Sequence, residues 1–178
     1  EISKKIKSLK SLVIITSDKC YLNKEYVRGY KENDTLGGDD LYSASKAGAE
    51  LIFNAYSNSF FNNQKKFGYA TVRAGNVIGG GDWSKNRLIP DLVRNISKKK
   101  FTYIRRPKSI RPWQYVLKVL EGYLILAKKN YLSNSSQFDE PFNFGPQISE
   151  CKSVYAVVNE FNNNWKTKVI YKSNMKKF

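Results

Sequence analysis

Two rhythms of hydrophobic and polar positions alternate along this chain. Leu12-Val13-Ile14-Ile15 is a short, continuous apolar run rich in β-branched residues. That pattern predicts a strand covered on both faces, as in a parallel sheet. The run breaks abruptly into Thr16-Ser17-Asp18-Lys19. A second such run, Tyr69 to Val72, breaks into Arg73-Ala74-Gly75-Asn76. Between them, Tyr42 to Phe61 is rich in residues that favour helix, among them Ala44, Ala47, Ala49 and Leu51, with Lys46 and Glu50 on the helix surface or in a site. A strand, a helix and a strand in this order predict two parallel neighbours joined by a helical crossover.

The rest of the chain continues the alternation. Ile2, Ile6 and Leu9 predict the end of a helix at the start of the chain, and a glycine-bearing loop spans Tyr21 to Asp40. Gly79-Gly80-Gly81-Asp82-Trp83 is irregular backbone, and Pro90 to Ile96 is a helix with proline in its first turn. Phe101 to Ile104 and Pro141 to Phe144 are short strands. A helix from Tyr115 to Asn130 should bury Val116, Val119, Leu120, Tyr123, Leu124 and Ala127. Ser153 caps a helix running to Phe161, and Val169 to Tyr171 is a terminal strand. The fold class is therefore α/β.

Composition narrows the chemistry. The 178 residues include no histidine, which excludes histidine bases and histidine metal ligands. Cys20 and Cys151 are two isolated thiols that build neither a paired-cysteine zinc site nor a disulfide framework. No apolar run approaches the length needed to cross a bilayer, so a reducing, cytoplasmic setting without a membrane partner is expected. The net charge is +16, but the excess is mostly lysine (24 Lys against 7 Arg) and accompanies 17 asparagines. Such enrichment is what codon bias in an AT-rich genome produces. The lysines are scattered rather than gathered into a stripe, which argues against a nucleic-acid partner.

Polar residues at the carboxyl end of a parallel strand are candidates for chemistry, because ligands bind there in open α/β sheets. Tyr42-Ser-Ala-Ser-Lys46 places a phenol and an ammonium on one helical face. An ammonium there stabilises a phenolate, which can take a proton from an alcohol. The spacing alone is common, and a surface pair is its plain alternative. The context is more specific, since the pattern follows a strand ending in the hydroxyl residue Ser17.

This arrangement resembles the extended short-chain dehydrogenase/reductase superfamily, in which a Ser or Thr, a Tyr and a Lys form a catalytic triad on a Rossmann sheet that binds NAD. Further segments occur in order: Leu36-Gly-Gly-Asp-Asp-Leu-Tyr-Ser-Ala-Ser-Lys46, Gly79-Gly-Gly-Asp-Trp83, Asn86-Arg-Leu-Ile-Pro90, Arg111-Pro-Trp-Gln114 and Phe142-Asn-Phe-Gly-Pro146. Together with Thr16-Ser-Asp-Lys19 they are similar to the CDP-glucose 4,6-dehydratase branch over nearly the whole chain. The resemblance implies Ser17, Tyr42 and Lys46 as the triad, with Tyr42 and Lys46 also meeting the cofactor. It implies Asp18 as acid and Lys19 as base for loss of water, a pair that a nucleotide-sugar epimerase of the same superfamily does not need. It implies Asn76 and Arg111 at the diphosphate of the sugar nucleotide CDP-glucose. Leu88, Tyr103, Ile104 and Arg105 are weaker candidates for lining the nucleotide pocket. Trp83 and Trp113 are taken for core.

The same resemblance implies a partial Rossmann-like sheet from residues 1–78 and 115–146 and a small mixed α/β substrate-binding lobe from residues 79–114 and 147–178. It implies a homodimer or homotetramer for a full-length member. No Gly-x-x-Gly-x-x-Gly turn occurs in the sequence. The expectation is therefore an amino-terminally incomplete member, inactive on its own. A basic, non-catalytic binding module remains the rival of a different class; it would present a contiguous positive face instead of converging Ser17, Tyr42 and Lys46.

Overall fold

The computed structural model describes residues 2–61, 67–133, 138–165 and 171–173. The chain divides into two compact units, residues 1–75 with 116–145 and residues 76–115 with 146–178.

The first unit opens with a short helix α1 (Ile2–Lys5), then β1 (Ser11–Ile15), helix α2 (Leu41–Phe60) and β2 (Gly68–Ala74). β1 and β2 are parallel neighbours in register Leu12 to Tyr69 and Ile14 to Thr71. Helix α2 is the crossover, as the pattern of residues predicts. A third parallel strand, Pro141–Phe144, pairs with β2.

The two faces of β2 differ in chemistry because strand side chains alternate. Ala70 and Val72 point to one face and form a core with Leu126, backed by Val13, Tyr123, Phe138, Phe142 and Phe144. Tyr69, Thr71 and Arg73 belong to the other face, with α2. There Tyr69 meets Phe53 and Phe61 at ring distances of 5.8 and 5.3 Å, in edge-on or tilted geometry suited to aromatic quadrupoles.

The helix covering the apolar face runs from Val116 to Leu132 and packs on β1 and β2. Its buried positions are Val119, Leu126 and Asn130, with Tyr123 partly buried. The expected burial of Leu120 and Leu124 does not occur: they are 43% and 71% exposed. This helix is apolar around most of its girth, so periodicity alone does not select the seam. Gly122 marks the seam instead, because a Cβ there would lie 2.4 Å from the Phe144 ring.

The second unit begins with β3 (Val77–Ile78), followed by α3 (Leu88–Ser97), β4 (Thr102–Ile104), β5 (Ile110–Arg111) and β6 (Gln114–Tyr115). The Val116–Leu132 helix is then α4 and the Pro141–Phe144 strand β7. After them come β8 (Lys152–Ser153), α5 (Val154–Asn164) and β9 (Tyr171–Ser173). β3 pairs with β6 and β4 with β9 in parallel, and β5 pairs with β8 antiparallel. The predicted terminal strand is therefore found from Tyr171 onward; Val169 and Ile170 lie outside the described residues.

Leu92, Ile104 and Val158 form the core of this unit, with Leu88, Ile89, Ile96, Val154 and Phe161 packed around them. Ser153 caps α5, its hydroxyl accepting from Ala156 N at 3.1 Å. Trp83, taken for core, is 65% exposed. It sits in the irregular segment after β3, where no element covers it. Trp113 is partly buried and donates its indole N–H to Lys152 O at 3.0 Å. Among the described residues no helix is long and apolar enough to cross a membrane.

Candidate active site

In the first unit, β1 hands the chain to a polar turn. Thr16 N still donates to Val72 O at 2.9 Å, so the ladder runs one residue past the strand. Ser17 is buried and extended, and Asp18–Cys20 form one turn of 3-10 helix. Ser17 caps that turn: its hydroxyl accepts from Lys19 N at 3.2 Å and donates to Asp18 Oδ1 at 3.1 Å. Asp18 and Lys19 are partly exposed, while Cys20 behind them is fully buried. Burial pushes the Cys20 thiol up to about 12, which keeps it protonated at neutral pH.

The turn packs directly against α2. Asp40 caps that helix by accepting from Tyr42 N and Ser43 N at 2.9 and 3.0 Å, and Ser43 Oγ donates to its second oxygen at 2.7 Å. The hydrogen bonds from Ser43, that from Tyr42 N and the nearby Lys19 charge hold the Asp40 carboxyl below the usual range. Lys19 is therefore close to the amino terminus of α2. Gly38 lets the preceding loop pack closely on the first turn of α2, since a Cβ there would lie 2.4 Å from the Ser43 Cβ. On the first two turns of α2, Tyr42 is 53% exposed and the Lys46 ammonium lies 5.6 Å from the centre of its ring. A phenol with a cation over its face, reachable from solvent, is equipped to exchange a proton with a bound alcohol.

Beneath this surface lies a network that the sequence pattern did not reveal. Glu50, one helical step of four residues beyond Lys46, is 3% exposed and bonds Arg73 Nη2 at 2.8 Å. Its carboxylate also accepts from the Thr16 hydroxyl and from Thr71 Oγ1 at 2.9 Å. Arg73 Nη1 donates to Tyr21 OH at 2.7 Å and to Glu32 O at 2.9 Å. Tyr21 OH in turn donates to Asn143 Oδ1 at 2.7 Å. Burial alone would raise the Glu50 carboxyl, but the hydrogen bonds and charge of Arg73, with the two threonine hydroxyls, outweigh it and hold it below the usual range.

In the second unit, a cleft of about 910 Å³ is lined by Leu88, Tyr103, Ile104, Arg105, Arg106 and Arg111, among others. Four weaker candidates, Leu88, Tyr103, Ile104 and Arg105, thus do share one cleft with Arg111. Ile104 contributes least to its surface, being 3% exposed and part of the core. Asn76 is not among the lining residues; its carbonyl accepts from Gln114 N at 2.9 Å, beside the β3–β6 pair.

A three-stranded parallel sheet with a helical crossover, and a Ser–Asp–Lys turn packed on a Tyr-x-x-x-Lys helix, define a Rossmann-like α/β protein of the short-chain dehydrogenase kind. The chain belongs to the NAD dependent epimerase/dehydratase family, whose pattern matches residues 3–142. It is 48% identical over 169 residues to CDP-glucose 4,6-dehydratase of Salmonella typhimurium, a match covering 93% of this chain and 47% of that protein. The fold is shared with dTDP-glucose 4,6-dehydratase of Bacillus anthracis in complex with NAD, at a TM-score of 0.72 and 22% identity, over 97% of this chain and 52% of that one. It is shared equally with UDP-glucuronic acid 4-epimerase of Bacillus cereus in complex with UDP-glucuronic acid and NAD, at a TM-score of 0.77 and 15% identity, over 97% and 51%. The chain thus spans about half the length of these relatives.

Proposed function

We propose that this chain supplies the catalytic turn and the nucleotide cleft of a nucleotide-sugar 4,6-dehydratase that acts on CDP-glucose with NAD and makes a 4-keto-6-deoxy sugar nucleotide for surface polysaccharide. The observation that carries the reading is the Ser17-Asp18-Lys19 turn at the end of β1, packed on the helix that bears Tyr42 and Lys46. The identity to the Salmonella dehydratase supports the choice of substrate.

The groups present fit the nicotinamide-ribose end of the cofactor. Tyr42 and Lys46 offer a phenol and an ammonium from the first two turns of α2, exposed enough for a hydroxyl-rich ring to reach them. Bound there, the dinucleotide would supply the hydride acceptor for the sugar C4 and the hydride donor for C6.

Each step then has a group in this chain. Tyr42, beside the Lys46 charge, takes the proton of the C4 hydroxyl, and the Ser17 hydroxyl bonds the same oxygen as it becomes a carbonyl. The C4 ketone acidifies the proton on C5, which Lys19 removes. Asp18 gives a proton to the C6 hydroxyl, which leaves as water, and the protonated Lys19 returns a proton to C5 as the hydride arrives at C6. Two proton transfers on adjacent carbons call for two adjacent groups, and residues 18 and 19 are neighbours on one turn and both partly exposed. In the second unit, Arg111 and Arg105 offer planar forks to the diphosphate.

A chimera in which this chain replaces the matching residues of the Salmonella relative tests the reading. It should convert CDP-glucose to the 4-keto-6-deoxy product, followed by product absorbance. Conversion to the C4 epimer with no loss of water would overturn it in favour of an epimerase.

A further inference from the structure

The Glu50–Arg73 ion pair has no part in the chemistry above, yet it is tied to both ends of the turn that does. The six residues from Thr16 to Tyr21 contain the whole proposed acid–base turn. At one end the Thr16 hydroxyl donates to Glu50 Oε1. At the other, Tyr21 OH accepts from Arg73 Nη1 at 2.7 Å. The two anchors bond each other at 2.8 Å and are 3% and 4% exposed. Glu50 also lies on α2, and Tyr42, Lys46 and Glu50 follow one another at four-residue intervals on one helical face. One buried pair therefore connects the turn, at both ends, to the helix that carries the tyrosine and lysine.

Stability alone is a poor reason for such a pair. Burying two charges carries a desolvation penalty that their attraction often fails to offset, and well-packed apolar residues often do as well in their place. What apolar residues do not supply is direction. A carboxylate and a guanidinium accept and donate along fixed lines, and here those lines end on Thr16 and Tyr21.

We infer that Glu50 and Arg73 are positioning residues: their ion pair holds the Thr16–Tyr21 segment at both ends and sets where Asp18 and Lys19 stand relative to Tyr42 and Lys46. The inference rests on the assignment of Asp18 and Lys19 as acid and base.

Variants at Glu50 or Arg73 leave a buried charge unpaired and can fail to fold, so the test cuts the two tethers instead. Thr16→Val and Tyr21→Phe each remove one hydroxyl and keep the pair. In the chimera, the double variant should lower kcat for water loss about ten- to a hundredfold, the scale on which small misplacements of reacting groups act. KM for CDP-glucose should stay within about twofold. In the 178-residue chain, the amides of Ser17 to Cys20 should exchange faster with solvent, while those of β2 keep their protection. Unchanged kcat in the double variant overturns the inference. So does a fall in kcat that only follows a general loss of protection across the sheet. Lys19→Ala separates the two readings. If it leaves C5 proton exchange intact, the acid–base assignment itself fails. If it abolishes exchange while the double variant is silent, only the positioning role fails.

Discussion

The Ser17–Cys20 turn of the first unit and the cleft of the second handle charge in opposite ways. Around the turn, charge at depth is paired: Glu50 and Arg73 are almost wholly buried, and their oxygens and nitrogens reach Thr16, Thr71, Tyr21 and Glu32. Around the cleft, Arg105 and Arg106 are exposed and Arg111 is partly so. Among the described residues none of these three arginines is in an ion pair. Buried and paired charge fixes geometry, because leaving a partner unsatisfied there is costly. Exposed, unpaired charge fixes little and stays available to an anionic ligand. The same side chain, arginine, is thus buried and paired in one unit and exposed to solvent in the other.

Substitutions in the two regions should therefore have unlike effects. The largest effect belongs to the chemistry: Tyr42→Phe in the chimera should lower kcat by about a hundred- to ten-thousandfold, with calorimetric affinity for CDP-glucose within about twofold. Next is the buried pair. Glu50→Gln in this chain should cost about 3–5 kcal/mol in denaturant unfolding, whereas Arg105→Gln should cost less than about 0.5 kcal/mol, as for an ordinary surface change. The Glu50 carboxyl is held below its usual range in the folded chain. Its contribution is therefore complete above the ordinary carboxylate range and is lost as pH falls through the lower folded value, a loss that Glu50→Gln should remove. In the cleft, Arg111→Gln should weaken CDP-glucose binding by about ten- to a hundredfold, the range for a hydrogen bond to a charged group, and the remaining affinity should depend less on salt. The smallest effect is local: Ser153→Ala removes the cap of α5 and should cost about 1 kcal/mol, read by thermal unfolding.

Much of the framework was legible because it rests on local pattern. The run at Tyr69–Val72 announces a strand covered on both faces, as β2 is, whereas the run Leu12–Ile15 announces a strand but not its cover, since β1 buries no residue fully and Ile15 is 61% exposed; the helix between them leaves parallel pairing as the natural connection. The polar residues that follow β1 stand out by their abrupt change. The buried network did not stand out, for a physical reason. A glutamate on an alanine-rich helix looks solvated, and only its partner on another element shows otherwise. Arg73, directly after the apolar run of β2 and still within the strand, was the available signal, since a buried arginine needs an anion. The same limit misplaced the seam of α4, where Leu120 and Leu124 look as apolar as Leu126 and only Gly122 marks the close approach to Phe144. Trp83 misled in the other direction, because size and hydrophobicity predict burial without saying whether any element covers the residue.

In the proposed mechanism Asp18 and Lys19 divide the acid and base work of a dehydration. That division is tested most directly by the fate of the C5 proton in the chimera carrying Lys19→Ala, run in heavy water with CDP-glucose and NAD. Oxidation at C4 should still proceed through Tyr42, while deuterium should not enter C5 and water should not be lost. Deuterium entering C5 at the unmodified rate would contradict that division.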